Sequence, residues 1–91
     1  MNQVWKYIIK PDKLEYEIPQ GGIVLVVGEQ FGEICIWVEV NPLSEKEKRL
    51  FKAYGTGFNI NEGVGVSRTY HGSAKLELGY LVFHVYEYTT E

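Results

Sequence analysis

Ile23-Val24-Leu25-Val26-Val27-Gly28, then Glu29-Gln30-Phe31-Gly32-Glu33, then Ile34-Cys35-Ile36-Trp37-Val38-Glu39-Val40: two β-rich runs flank a short polar segment that carries a glycine. That pattern reads as a β-hairpin. The first run is continuously apolar, which predicts a strand buried on both faces. In the second run Ile34, Ile36, Val38 and Val40 share one face, while Cys35, Trp37 and Glu39 share the other.

Working outward, residues 4–9 (Val-Trp-Lys-Tyr-Ile-Ile) read as a first strand closed by Pro11 and Asp12. Residues 14–18 alternate apolar with acidic, the mark of a half-exposed strand, and stop at Pro19 before the Gly21-Gly22 turn. After Asn41-Pro42, Ser44-Glu45-Lys46-Glu47 has the spacing of a helix capping box but is short, so it reads as a charged loop or one helical turn. A strand is expected over 49–54. Gly55-Thr56-Gly57 breaks it, and residues 58–67, with Gly63 and Gly65, read as a long irregular loop of the kind that often carries function. Residues 68–72 form a short edge strand. The final run, 80–88, lacks glycine and proline and is the clearest strand of all. The expectation is an all-β chain: a small single domain over 1–91, an antiparallel barrel or sandwich of about six strands.

Composition bounds the function. At 91 residues the chain is one domain, and surface scaling for 10.5 kDa gives a folded area of roughly 5,400 Å². Such a core is thin, and a partner subunit would help it. A 45% hydrophobic, 23% charged composition is that of a globular protein rather than a disordered one. No apolar run approaches the ~18 residues of a membrane helix, and no signal-peptide stretch is evident. One cysteine, Cys35, excludes an internal disulfide and a thiolate zinc set, which fits a reducing cytoplasm. A net charge of -3 argues against coating DNA or RNA, while leaving room for a small anion at a local basic spot.

The chemistry-bearing residues point away from catalysis. His71 and His84 are the two histidines; His84 shares a strand face with Val82, Tyr86 and Tyr88, where a hydrogen-bonded structural role is the common one. His71 beside Gly72 and Ser73 is a candidate loop contact to a ligand. Two histidines and one cysteine scattered along the chain make a poor metal set, and no nucleotide-hydrolase or protease motif is present. The expectation is no catalytic residue, no metal and no cofactor.

Aromatic and small polar residues are more informative. Trp5, Tyr7, Trp37, Tyr54, Phe58 and Tyr70 are more rings than a core this size hides and are candidates for stacking on nucleobases, Trp37 foremost, against the simpler reading that rings in a small β domain are its core. Gly55-Thr56-Gly57 offers unobstructed N–H groups and a hydroxyl for phosphate or ribose, or else a tight turn. Lys48, Arg49 and Lys52 precede that triplet and Arg68 follows the loop; they read as a phosphate clamp or as a solvated rim.

A set of stretches, taken in order, carries a resemblance: Lys6-Tyr7, Ile18-Pro19-x-Gly21, Val27-Gly28-x-Gln30-x-Gly32, Ile36-Trp37, Arg49-x-Phe51 before Gly55-Thr56-Gly57, Tyr70-x-Gly72-Ser73, and Gly79-x-Leu81-Val82-Phe83-His84-Val85-Tyr86-Glu87. They resemble a widespread family of small, mostly phage- and prophage-encoded proteins classed as a domain of unknown function. The ending LVFHVYE after YHGS is the specific part. Many relatives carry histidine after the Gly-Thr-Gly triplet where this chain has Phe58, so a histidine role there does not carry over.

Among such phage proteins, the chain is similar to anti-CBASS sponges that sequester cyclic dinucleotides such as 3′,3′-cGAMP. The resemblance implies a non-enzymatic immune-evasion protein in the host bacterial cytoplasm. It would hold a cyclic dinucleotide between protomers of a homo-oligomer, a dimer or tetramer. Trp37, Arg49, Lys52, Tyr54, Gly55, Thr56, Gly57, Phe58, Arg68, Tyr70 and His71 are the residues expected to line the site. The rivals are an inhibitor docking on a host protein through a β edge or aromatic patch, and a phosphodiesterase using His71 or His84.

Overall fold

The hairpin read from residues 23–40 is present. β3 (Ile23–Gln30) and β4 (Glu33–Val40) pair antiparallel through the turn Phe31-Gly32. Both turn residues hold positive φ, 54° and 78°, the geometry whose twist matches a two-residue hairpin. The Glu29 carboxylate accepts a bond from the Gly32 N–H and fixes the turn. β1 (Gln3–Ile8) flanks β4 on its other side, completing a three-stranded sheet ordered β1-β4-β3.

A second sheet runs β2 (Glu15–Pro19), β5 (Lys46–Gly55), β7 (Leu81–Thr90) and β6 (Val66–Leu76), in the order β2-β5-β7-β6. The computed structural model describes residues 1–60 and 66–90. Within them the seven strands are all antiparallel and form an open two-sheet sandwich, not a closed barrel. Inward faces of both sheets supply one core, centred on fully buried Ile18, Ile36, Val38, Phe51 and Val85. No helix among the described residues is long and apolar enough to cross a membrane.

Four expectations change, each for a physical reason. β3 is buried on one face only: Ile23, Leu25 and Val26 are at least half exposed, because its sheet is a single layer with nothing over the outer side. Of the two readings of Ser44-Glu45-Lys46-Glu47 the loop holds, but only to Glu45, and the strand expected from 49 begins at Lys46. Gln20 N–H donates to Glu45 O and Lys46 pairs with Pro19, so β2 claims this backbone for the sheet. β6 is the edge strand expected, but it runs eleven residues, Val66–Leu76, rather than five. β7 starts at Leu81, after a 3₁₀ turn over Glu77–Gly79 in which Glu77 and Leu78 take positive φ. The irregular loop expected over 58–67 falls in part on 61–65, outside the described residues.

The length of β6 depends on a bulge. Its register against β7 slips between Tyr70 and Gly72, leaving His71 as the extra residue. Gly72 (φ 152°) lies against β3, where a side chain would meet the Val27 Cβ at 3.1 Å. Both His71 and Gly72 therefore face inward, and the outward positions switch from Arg68 and Tyr70 to Ser73 and Lys75. Gly72→Val would clash with Val27 and strain the backbone, and the expected loss is about 2–3 kcal/mol in urea unfolding.

Candidate functional site

Strand alternation assembles one chemically distinctive surface, the outer face of β5, β7 and β6. Outward on β5 are Lys48, Leu50, Lys52 and Tyr54, followed by Thr56 just past its end; on β7 Val82, His84, Tyr86 and Tyr88; on β6 Arg68, Tyr70, Ser73 and Lys75. Among the described residues these positions hold four tyrosines and four cations and no carboxylate, in a chain of net charge -3. Acidic Glu15 and Glu17 enter only at β2, on the far edge.

The rings form a contiguous group. Tyr86 lies at its centre, 5.3 Å from the Tyr70 ring and 6.1 Å edge-on to Tyr54. The Arg68 guanidinium sits 5.0 Å above Tyr86, and Lys52 Nζ 5.8 Å from Tyr54. Tyr54 and Tyr88 share a hydroxyl hydrogen bond of 2.5 Å. Burial, and that bond, hold the Tyr88 phenol protonated well above its ordinary range.

Alongside runs a chain of hydroxyls through His84. Its Nε2 is 2.8 Å from Thr56 Oγ1, its Nδ1 is 2.8 Å from Ser73 Oγ, and Ser73 Oγ reaches the Tyr70 hydroxyl at 2.5 Å. A neutral imidazole offers one donor and one acceptor, so the ring matches both hydroxyls and fixes Tyr70 through Ser73. Only the β6 bulge makes this possible, by placing Tyr70 and Ser73 on the same side.

Of the residues singled out in the sequence, Lys52, Tyr54, Thr56, Arg68 and Tyr70 come together here, Tyr70 being 54% exposed while Tyr54 is buried at 7% and supports the other rings rather than presenting a face. Arg49 does not. It points inward, where Nε and Nη2 donate to the two carboxylate oxygens of Glu87 at 2.6 and 2.8 Å, and Nη1 donates to Gly22 O. Its phosphate-clamp reading gives way to a structural one. His71 also turns inward, with Nε2 2.8 Å from Glu87 Oε1, and its ring contacts Phe51, so it is no loop contact. Trp37 is half buried on the outer face of the other sheet, away from the tyrosines.

Gly55-Thr56-Gly57 forms a tight turn, with Gly57 at φ 89°. The N–H groups of Thr56 and Phe58 already donate to Val82 O and Gly55 O, and the Thr56 hydroxyl is taken by Val82 O and His84 Nε2, so the triplet forms no backbone cradle and its hydroxyl serves the His84 chain. Gly55 and Phe58 help line an apolar cleft of about 580 Å³ at this end of the sandwich, with Phe83, Ile34 and Leu76.

Glu87 binds the inner cluster together. Burial pushes its carboxyl up, but the hydrogen bonds and charges of Arg49 and His71 outweigh that and bring it down to about 2. A carboxylate depressed on folding stabilises above its unfolded value near 4.5 and loses that contribution as pH falls through about 2. Acid should therefore remove about 3 kcal/mol through this window. Urea midpoints measured from pH 5 to pH 2 should fall less steeply in Glu87→Gln than in the native chain.

His84, Tyr86, Tyr88, Ser73 and Lys75 complete the surface without having been singled out as ligand contacts. Alternation along β7 already put His84, Tyr86 and Tyr88 on one side; the bulge that adds Ser73 and Lys75 left no clear mark.

The family model described as "Domain of unknown function (DUF7352)" matches residues 1–91. The chain belongs to the DUF7352 family. Comparison of this DUF7352 member with curated proteins and with solved structures gives no match.

Proposed function

We propose that this DUF7352 protein is a non-enzymatic trap for a cyclic dinucleotide such as 3′,3′-cGAMP, acting as a phage immune-evasion sponge against CBASS-type defence in the bacterial cytoplasm. The observation that carries the reading is the tyrosine-rich outer face of β5, β7 and β6, which among the described residues holds no carboxylate. Bases stack on tyrosine rings at about 1–3 kcal/mol each, and cations at the rim meet the two phosphates. Lys52 and Arg68 stand next to the rings, so base and phosphate are held by neighbouring groups. The His84 chain holds Tyr70 in place for the same contact. The phage role itself rests on the resemblance carried by the LVFHVYE ending.

A pseudo-symmetric ligand is matched by two copies of one face related by a two-fold axis, which closes the second side of the nucleotide. Nanomolar capture corresponds to about -12 kcal/mol, more than two stacks supply, so phosphate contacts are required. Calorimetry against cyclic di- and trinucleotides tests the proposal, followed by protease digestion and recovery of the ligand. Tight binding with intact ligand supports it. Linearised ligand would instead assign a hydrolase built on Ser73 and His84, and silence toward every nucleotide with capture of a host protein would assign an inhibitor.

A further inference from the structure

The molecule is a slab, 39 × 35 × 19 Å, and its two broad faces differ in chemistry. Opposite the tyrosine face lies the outer side of β1-β4-β3. Val4, Ile23 and Val26 are exposed there by 55%, 60% and 52%, next to half-buried Ile8 and Trp37. Gly28 lets the Trp37 indole lie close on the sheet: a side chain there would come within 3.3 Å of the ring. The result is a flat apolar patch, of the kind that marks an interaction surface.

Area and charge identify the occupant. The chain exposes 6230 Å², about 800 Å² more than scaling gives a monomer of its mass. That excess, taken over the whole chain, is comparable to one partner's share of a standard protein interface. The patch also carries charges of both signs: besides Glu33 at the hairpin end of β4, Lys6 beside Trp37 on β1 and Glu39 two residues along β4 form an opposite pair. Within the monomer each is bonded to a neutral amide, Gln30 and Asn2 respectively. A two-fold axis running diagonally across the patch sets each Lys6 against the other copy's Glu39, with the strands of the two sheets crossing near a right angle.

We infer that a second copy of this chain docks on the outer face of β1-β4-β3, giving a ligand-independent homodimer that leaves both tyrosine faces open. The inference does not rest on nucleotide capture. If ligand also bridges tyrosine faces, which lie on the opposite side of the slab, dimers join into an open-ended stack on adding it.

Sedimentation of the full chain without nucleotide tests the interface. The expected mass is twice 10.5 kDa. Val26→Lys should be monomeric with an unchanged circular dichroism spectrum. Lys6→Glu should weaken the dimer at least tenfold, and Lys6→Glu with Glu39→Lys should restore it, a rescue that misfolding cannot mimic. A native chain that is monomeric at every concentration overturns the inference. So does a dimer that survives Val26→Lys and the Lys6 reversal, or that dissociates instead in Tyr70→Ala.

Discussion

Arg49→Ala should cost about 3–5 kcal/mol of folding stability, because it leaves the Glu87 carboxylate buried without its main partner. Arg49 and Glu87 side chains are 15% and 11% exposed, and the guanidinium grips both carboxylate oxygens while also capping Gly22 O. The whole stability of a domain this size is about 5–14 kcal/mol, so the variant loses between about a quarter of it and nearly all of it. At about 4–8 °C per kcal/mol, melting should fall by at least 12 °C. The double variant Arg49→Met/Glu87→Leu should recover much of the loss, since neither charge then remains to be satisfied. A single variant within about 0.5 kcal/mol of native would show the pair to be a surface ion pair after all. On sequence alone Arg49 counts as one of several strand-end cations whose removal costs little; the register of β5 reverses that.

The second large effect concerns capture. Lys52→Glu combined with Tyr70→Ala should lower affinity for the captured cyclic dinucleotide by at least about 100-fold. One lost stack contributes about 1–3 kcal/mol and one lost charged contact about 1.5–3 kcal/mol, and each 1.4 kcal/mol is tenfold. Both side chains are exposed, Tyr70 by 54%, so the fold should keep its melting temperature within a few degrees. Trp37→Ala, on the opposite face, should leave affinity unchanged. Calorimetry on the three proteins decides: equal affinity in the double variant, or a loss confined to Trp37→Ala, would remove the tyrosine face as the site.

The β-rich runs with their glycine and proline breaks mark the strands up to β5 and the last one, because alternation and turn chemistry are local, while β6 runs through Gly72 and past both ends of the stretch read as a strand. The same locality explains the misreadings. Ile23 to Val27 look doubly buried because apolar content does not say how many layers a sheet has. Ser44 to Glu47 have helix-start spacing, yet the strand wins because β2 lies ready to pair with this backbone. Arg49 and Lys52 look alike in sequence; three residues apart on a strand, they face opposite sides.

The site was legible in its parts. Lys52, Tyr54, Arg68 and Tyr70 are recognisable as a ring-and-cation inventory, and β7 announces its outward row of His84, Tyr86 and Tyr88. What joined them was the order β5-β7-β6, a pairing between segments separated by tens of residues, and the bulge at His71.

By itself, the amino-acid sequence determined the all-β class, the strand positions, the Phe31-Gly32 hairpin and the membership of DUF7352. The tertiary structure alone decided which cations face solvent and which is locked to Glu87, and that the slab has one apolar and one tyrosine-rich face. The reason is physical: propensity and alternation act between neighbours along the chain, whereas strand order, bulge register and layer number are settled by long-range pairing and by which side chains find burial across the sandwich.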